Sequence, residues 1–233
     1  MIKRFPYSPR SAQALYWYAV HQKTDTAQVE AFERLRKQYP PAKFEQSADG
    51  VTELFHIYDR TDPLKAQSVA HEMLALFPKD ADWNAYAAYS NTMAKASQWI
   101  KDEPAAAVSI LEPMKAPGYL MDMRRKDLLQ ARALDLSGKA AEAYSYVLGC
   151  YAKHPTDEVR AAIGEYGKKL GKTSQGRDAA TWSAIADNST PAIPFSLPNF
   201  TDGKLVSLAS YRGHVVFVDF WYPNCGPCRE SFP

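Results

Sequence analysis

The sequence predicts a mainly α protein: a solenoid of stacked helix pairs over residues 1–188, then the incomplete start of an α/β domain over residues 189–233. Three observations carry that prediction. Prolines recur at 40, 78, 117 and 155, at spacings of 38, 39 and 38 residues. Each closes an apolar stretch with helical periodicity, as in Ala75-Leu76-Phe77 before Pro78 and Ala152-Lys153-His154 before Pro155. After Asn188 that period stops, prolines arrive at 191, 194 and 198, and strand-like patterning takes over.

Between successive prolines there is room for two helices of about 14 residues each. Asp62-Pro63 reads as an N-cap followed by proline at the first helical position, where the missing N–H costs nothing. Asp25-Thr26 and Asp102-Glu103-Pro104 occupy the corresponding places in their repeats. Twelve residues before the last three closing prolines stand Ala66, Ala105 and Ala143, with Ala27 one residue out of register in the first repeat. Gly138 separates two helices, and 158–170 with 178–187 form a last pair. A helix pair of this size cannot bury its apolar face alone, so the pairs are expected to stack.

The fourth repeat is the clearest. Ala131, Leu134, Ala143, Val147, Cys150 and Pro155 alternate small and larger apolar residues in a pattern that resembles a tetratricopeptide repeat. The other repeats match it mainly at proline and alanine, so the region is tetratricopeptide-like. Such a stack serves as scaffold, or offers a concave surface to a partner protein. Tyr16, Trp17, Tyr18, Trp83, Tyr86 and Tyr89 are candidates either for that surface or for the core. Cys150 reads as a buried, inert thiol where helices approach closely. The histidines at 21, 56, 71, 154 and 214 show no ligand spacing.

Composition narrows the function. Lys and Arg number 28 against 26 Asp and Glu, and no basic stripe stands out, so no nucleic-acid partner is expected. No apolar run approaches the length of a membrane span. The first residues carry positive charge but no signal-peptide core follows them. Three cysteines are too few for a disulfide scaffold. One Cys-x-x-Cys pair and one distant cysteine suit redox or metal chemistry better.

The pair lies in the C-terminal segment. Phe195–Leu197 and Leu205–Leu208 flank the turn signal Asp202-Gly203, predicting a hairpin. Val215-Val216-Phe217-Val218-Asp219-Phe220-Trp221 then predicts a strand buried on both faces, running into Cys225-Gly226-Pro227-Cys228 and a helix. A cysteine at a helix N-terminus is expected to ionise below the usual value of about 8.5, because free N–H groups and the helix dipole favour the thiolate. Gly226-Pro227 would keep the sulfurs in bonding reach and start the helix. Asp219 on a doubly buried strand is costly unless it serves as a proton acceptor. Half a zinc site is the other use of Cys-x-x-Cys, but no second Cys or His pair is visible. A c-type haem would need histidine where Arg229 stands. No cofactor and no metal are therefore expected.

Phe195-x-Leu197, Gly203-x-x-Val206-x-Leu208, Tyr211-x-Gly213, Val216-x-Val218-Asp219-Phe220-Trp221 and Cys225-Gly226-Pro227-Cys228-Arg229 resemble the TlpA/ResA-like branch of the thioredoxin superfamily, over residues 192–233. The resemblance implies a thiol–disulfide oxidoreductase with Cys225 as attacking thiolate and Cys228 as resolving thiol. Asp219 matches the buried acid that takes the proton of the resolving cysteine, and Trp221 the aromatic beneath the site. Asn224 departs from the tryptophan that usually precedes the first cysteine. Clients would be disulfides of proteins in the periplasm or cell envelope, with a dithiol as electron donor; a cytoplasmic address is the alternative. Only the opening part of such a domain is visible, so the chain is expected to be a fragment, incompetent as an enzyme by itself. The rival expectation is a tetratricopeptide-like interaction protein whose redoxin portion is vestigial.

Overall fold

The computed structural model describes residues 8–118, 121–222, 225 and 228. The chain divides into two compact units, Met1–Asn188 and Ser189–Pro233. Among the described residues of the first, all regular structure is helical. Its helices are α1 (Pro9–Val20), α2 (Asp25–Gln38), α3 (Glu45–Thr61), α4 (Pro63–Leu76), α5 (Ala81–Trp99), α6 (Pro104–Leu111), α7 (Arg124–Leu136), α8 (Ala140–Lys153), α9 (Asp157–Lys169) and α10 (Ser174–Asn188). Each packs against the next, and α1 with α3, α5 with α7, α7 with α9 and α8 with α10 also touch.

The helix boundaries follow local chemistry. Pro40, Pro78 and Pro155 each fall two residues after the end of an even-numbered helix, where a missing N–H and a fixed φ stop continuation, whereas α6 ends at Leu111, ahead of Pro117. Asp62 caps α4 by accepting the Lys65 N–H at 3.3 Å, with Pro63 as the first helical residue. The Asp80 carboxylate takes the N–H groups of Asp82 and Trp83 at the start of α5. In the first repeat the cap is Thr24, not Asp25, which is already helical. Gly138 turns the chain between α7 and α8 at φ +79°, a conformation in which a Cβ would be strained.

The small-residue register differs from the expectation in one repeat. Ala66 and Ala143 are buried, but Ala105 is exposed and Ala107 takes its place at 0% exposure. The three buried alanines each lie three residues after the first residue of their helix. Because α6 ends at Leu111, well before Pro117, counting back from the proline lands two residues early.

Two apolar clusters fill the helical unit. The larger runs from α1 to α7, around Phe55, Trp83, Tyr86 and Tyr89; the Phe55 and Tyr86 rings are 4.5 Å apart. The smaller joins α7 to α10 through Leu134, Val147, Val159 and Ile163. Within the larger, Asp59 is 2% exposed and accepts bonds from Arg125 Nη1 at 2.7 Å and Tyr89 Oη at 3.1 Å, tying α3, α5 and α7 together.

The second unit contains an antiparallel hairpin, β1 (Ser196–Pro198) with β2 (Leu205–Ser207), in register Leu197 opposite Val206. Gly203, at φ +69°, and the Asn199 side chain shape the connecting loop. A single 3-10 turn, Leu208–Tyr211, follows. The predicted strand at 215–221 is not formed: these residues are irregular, with Val215, Phe217 and Phe220 about as exposed as in an extended chain. Its β-branched and aromatic composition favours a strand, but propensity acts only when a neighbouring strand supplies the ladder. Among the described residues β1 and β2 pair with each other alone. No helix among them is long and apolar enough to cross a membrane.

Removing the Asp59 carboxylate would leave the Arg125 guanidinium without its buried partner. Asp59→Ala is expected to destabilise the helical unit by about 3 kcal/mol, and Tyr89→Phe by about 1 kcal/mol. Urea unfolding followed by helical circular dichroism measures both; an unchanged midpoint for Asp59→Ala would mean the bridge is dispensable.

Candidate active site

The dithiol is assembled by very local geometry. The Cys225 N–H donates to the Tyr222 carbonyl at 3.0 Å, which folds the chain back just before the motif. Cys228 has helical backbone, and its Cα lies 5.2 Å from that of Cys225. At that separation the sulfurs reach each other, and they are joined as a disulfide. The Cys228 N–H points at Cys225 Sγ, 3.2 Å away. Once the pair is reduced, such a donor favours the thiolate of Cys225 over the thiol. Cys225 is 8% exposed while Cys228 is half-buried. Gly226 and Pro227, expected to shape this turn, lie outside the described residues, as does Asn224.

Asp219 and Trp221 are placed differently from their expected surroundings. Asp219 is exposed, and Trp221 is 57% exposed. The expectation of a carboxylate inside a doubly buried strand depended on neighbouring strands on both sides of residues 215–221, and none is present among the described residues.

The third cysteine is a different kind of thiol. Cys150, half-buried on α8, sits beside Tyr146, whose hydroxyl donates to Asp127 Oδ1 at 2.6 Å and accepts from Lys126 Nζ at 3.0 Å. Burial, reinforced by the Asp127 charge, pushes its thiol from 9.0 up to about 12. The Tyr146 hydroxyl and the Lys126 charge pull the other way, but burial and the Asp127 carboxylate outweigh them, so the thiol stays protonated where a reactive cysteine would be a thiolate.

The aromatic candidates separate cleanly. Trp83, Tyr86 and Tyr89 are buried in the core, Tyr16 is half-buried, and Trp17 and Tyr18 are exposed. His56 contacts the Tyr86 hydroxyl at 3.2 Å, and burial lowers its pKa. Sequence reading singled out Ala131 and Leu134 on α7 as repeat positions only, yet that helix lines a cavity of about 540 Å³ with Arg125, Leu128, Leu129 and Arg132. The only sequence signal for it was their spacing of three, four and seven residues, which places them on one face.

No protein-family model matches the chain, and no curated protein or solved structure shows significant similarity to it. The resemblances to the tetratricopeptide and thioredoxin families therefore rest on the residues quoted for them.

The raised Cys150 pKa has two consequences. At pH 8 in the reduced native protein, iodoacetamide should label Cys225 and leave Cys150 unlabelled until denaturant is added. Because the folded thiol ionises above the unfolded one, its contribution to stability is full below about pH 9 and is lost as pH rises toward 12. Cys150→Ala should flatten the fall in urea midpoint over that range; native labelling of Cys150 as fast as Cys225 would contradict the assignment.

Proposed function

We propose that the protein acts as a thiol–disulfide oxidoreductase in the reducing direction, with a tetratricopeptide-like solenoid that holds a protein partner. The observation that carries the redox reading is the Cys225–Cys228 disulfide with the Cys228 N–H directed at Cys225 Sγ. In the reduced protein the Cys225 thiolate attacks one sulfur of a client disulfide, and the other client sulfur leaves as thiolate. The Cys228 thiol then loses its proton, to Asp219 in the role that the family resemblance implies. Its sulfur attacks Cys225 Sγ and expels the second client thiolate. Two electrons pass to the client, and a dithiol donor returns them by the same exchange run backwards.

The solenoid reading is supported by helices that each pack on the next, and by prolines at near-constant spacing. The thioredoxin-like reading of the second unit is supported by the hairpin, the Gly203 turn and the dithiol. In that reading Val215–Trp221 becomes a central strand once further strands cover it, and Asp219 becomes buried with it. A periplasmic or envelope address follows from the family resemblance.

A second reading has its own observation. Asp219 is exposed and the segment before the dithiol is uncovered, which suits an interaction protein whose redoxin portion is inactive.

The two readings part in an insulin-reduction assay. Cys225→Ser is expected to abolish reduction of insulin disulfides, a loss of more than about 100-fold. Cys228→Ser should instead accumulate a mixed disulfide with the client that dithiothreitol dissolves. Wild-type rates in both variants would end the redox mechanism and leave the interaction protein.

A further inference from the structure

The cavity on α7 lies where the two apolar clusters of the helical unit meet. Leu129 packs at the margin of the larger cluster and Leu128 at the margin of the smaller. Both leucines are half-buried and line the cavity, with buried Met121 beside them. Arg125 and Arg132 stand at the two ends of this leucine pair, seven residues apart, about 10 Å along the helix.

The charges around the cavity are not equally committed. Arg60 gives Nε and Nη2 to Asp25 and Nη1 to the His56 carbonyl, so its fork is occupied. Arg124 bonds Asp122 and Glu158, which engages both of those carboxylates. Arg125 gives only Nη1 to Asp59, and the bond it makes is on the core side. Arg132 is exposed and makes no ion pair or hydrogen bond among the described residues. The uncommitted guanidinium donors thus sit at either end of an apolar step, on one helical face.

We propose that this face binds an amphipathic acidic helix of a partner protein, with two carboxylates seven residues apart and two apolar residues midway between them. Such a helix repeats the spacing of the α7 face with opposite charge. Its apolar residues would enter the cavity while its carboxylates meet Arg125 and Arg132, the groove mode of helix recognition. The proposal rests on the partner-holding reading of the helical unit and names the chemistry of that partner.

The test uses the full chain and two fluorescein-labelled helical peptides, read by fluorescence anisotropy. One peptide carries glutamates at its first and eighth helical positions and leucines at the fourth and fifth; the other has lysines in place of the glutamates. The expected result is binding of the acidic peptide alone, weakening as salt rises. Arg132→Glu should weaken it by about tenfold or more, and Arg132→Lys by less, since lysine keeps the charge but loses the fork. Arg132 is exposed and makes no bond among the described residues, so circular dichroism of both variants should match wild type. Cys225→Ser should bind as wild type does, which separates this surface from the dithiol. Preference for the lysine peptide, or wild-type affinity in Arg132→Glu, would overturn the acidic partner and leave partner holding intact. Failure of both peptides to bind would overturn the proposal and count against the partner-holding reading as well.

Discussion

Asp59 sits in the last two turns of α3, almost entirely out of water, with Arg125 of α7 and Tyr89 of α5 as its partners. A buried carboxylate without partners would cost several kcal/mol, so the spacing of these three helices is constrained far more tightly than apolar packing alone would require. Apolar contacts tolerate small slides of one helix along another. A bond of 2.7 Å between charged groups does not. Burial pushes the Asp59 pKa up, and the opposing pull of Arg125 and the Tyr89 hydroxyl offsets only part of that dehydration. The aromatic cluster around Phe55 packs against the same three-helix junction.

This constraint explains which parts of the fold were readable from the sequence. Helix ends are set by a few adjacent residues, so Asp62-Pro63, Gly138 and the prolines at 40, 78 and 155 announced them directly. The two alanines that kept register did so because their helices run to the closing proline; α6 stops early, and Ala105 lost its place to Ala107. Asp59, Tyr89 and Arg125 are separated by 30 and 36 residues, and nothing in their local context marks them as partners. Long-range ionic pairing leaves no periodic trace, so the junction that fixes the stack was the part least visible in advance.

The same division runs through the dithiol site. Two cysteines three residues apart need only one helical turn to bring their sulfurs together, and the Cys228 N–H reaches Cys225 Sγ by the same geometry. That part of the site was legible because it is built from a single short segment. Asp219 and Trp221 acquire their expected surroundings only when other strands flank residues 215–221, and strand pairing is a non-local property. With the hairpin the only pairing among the described residues, the carboxylate and the indole remain largely in solvent. A thiol pair can exchange disulfides in such a setting. Proton transfer from the resolving thiol gains from a buried acid, because in low dielectric the carboxylate becomes the stronger base.

The α7 face gathers both themes. Arg125, which lines the cavity, is held by its bond to the buried Asp59 and so has little freedom left to lose on binding. Arg132 has no such anchor and must be ordered by its ligand, at a cost of about 1 kcal/mol in rotamer freedom. The two ends of the stripe therefore differ: one is preorganised by the core, the other adapts. A partner helix engaging Arg125 first would find its register already set by the α3–α5–α7 junction, and Arg132 would then discriminate by charge. A surface that reads a partner in this order needs the buried bridge for its geometry as much as the fold needs it for its helix spacing.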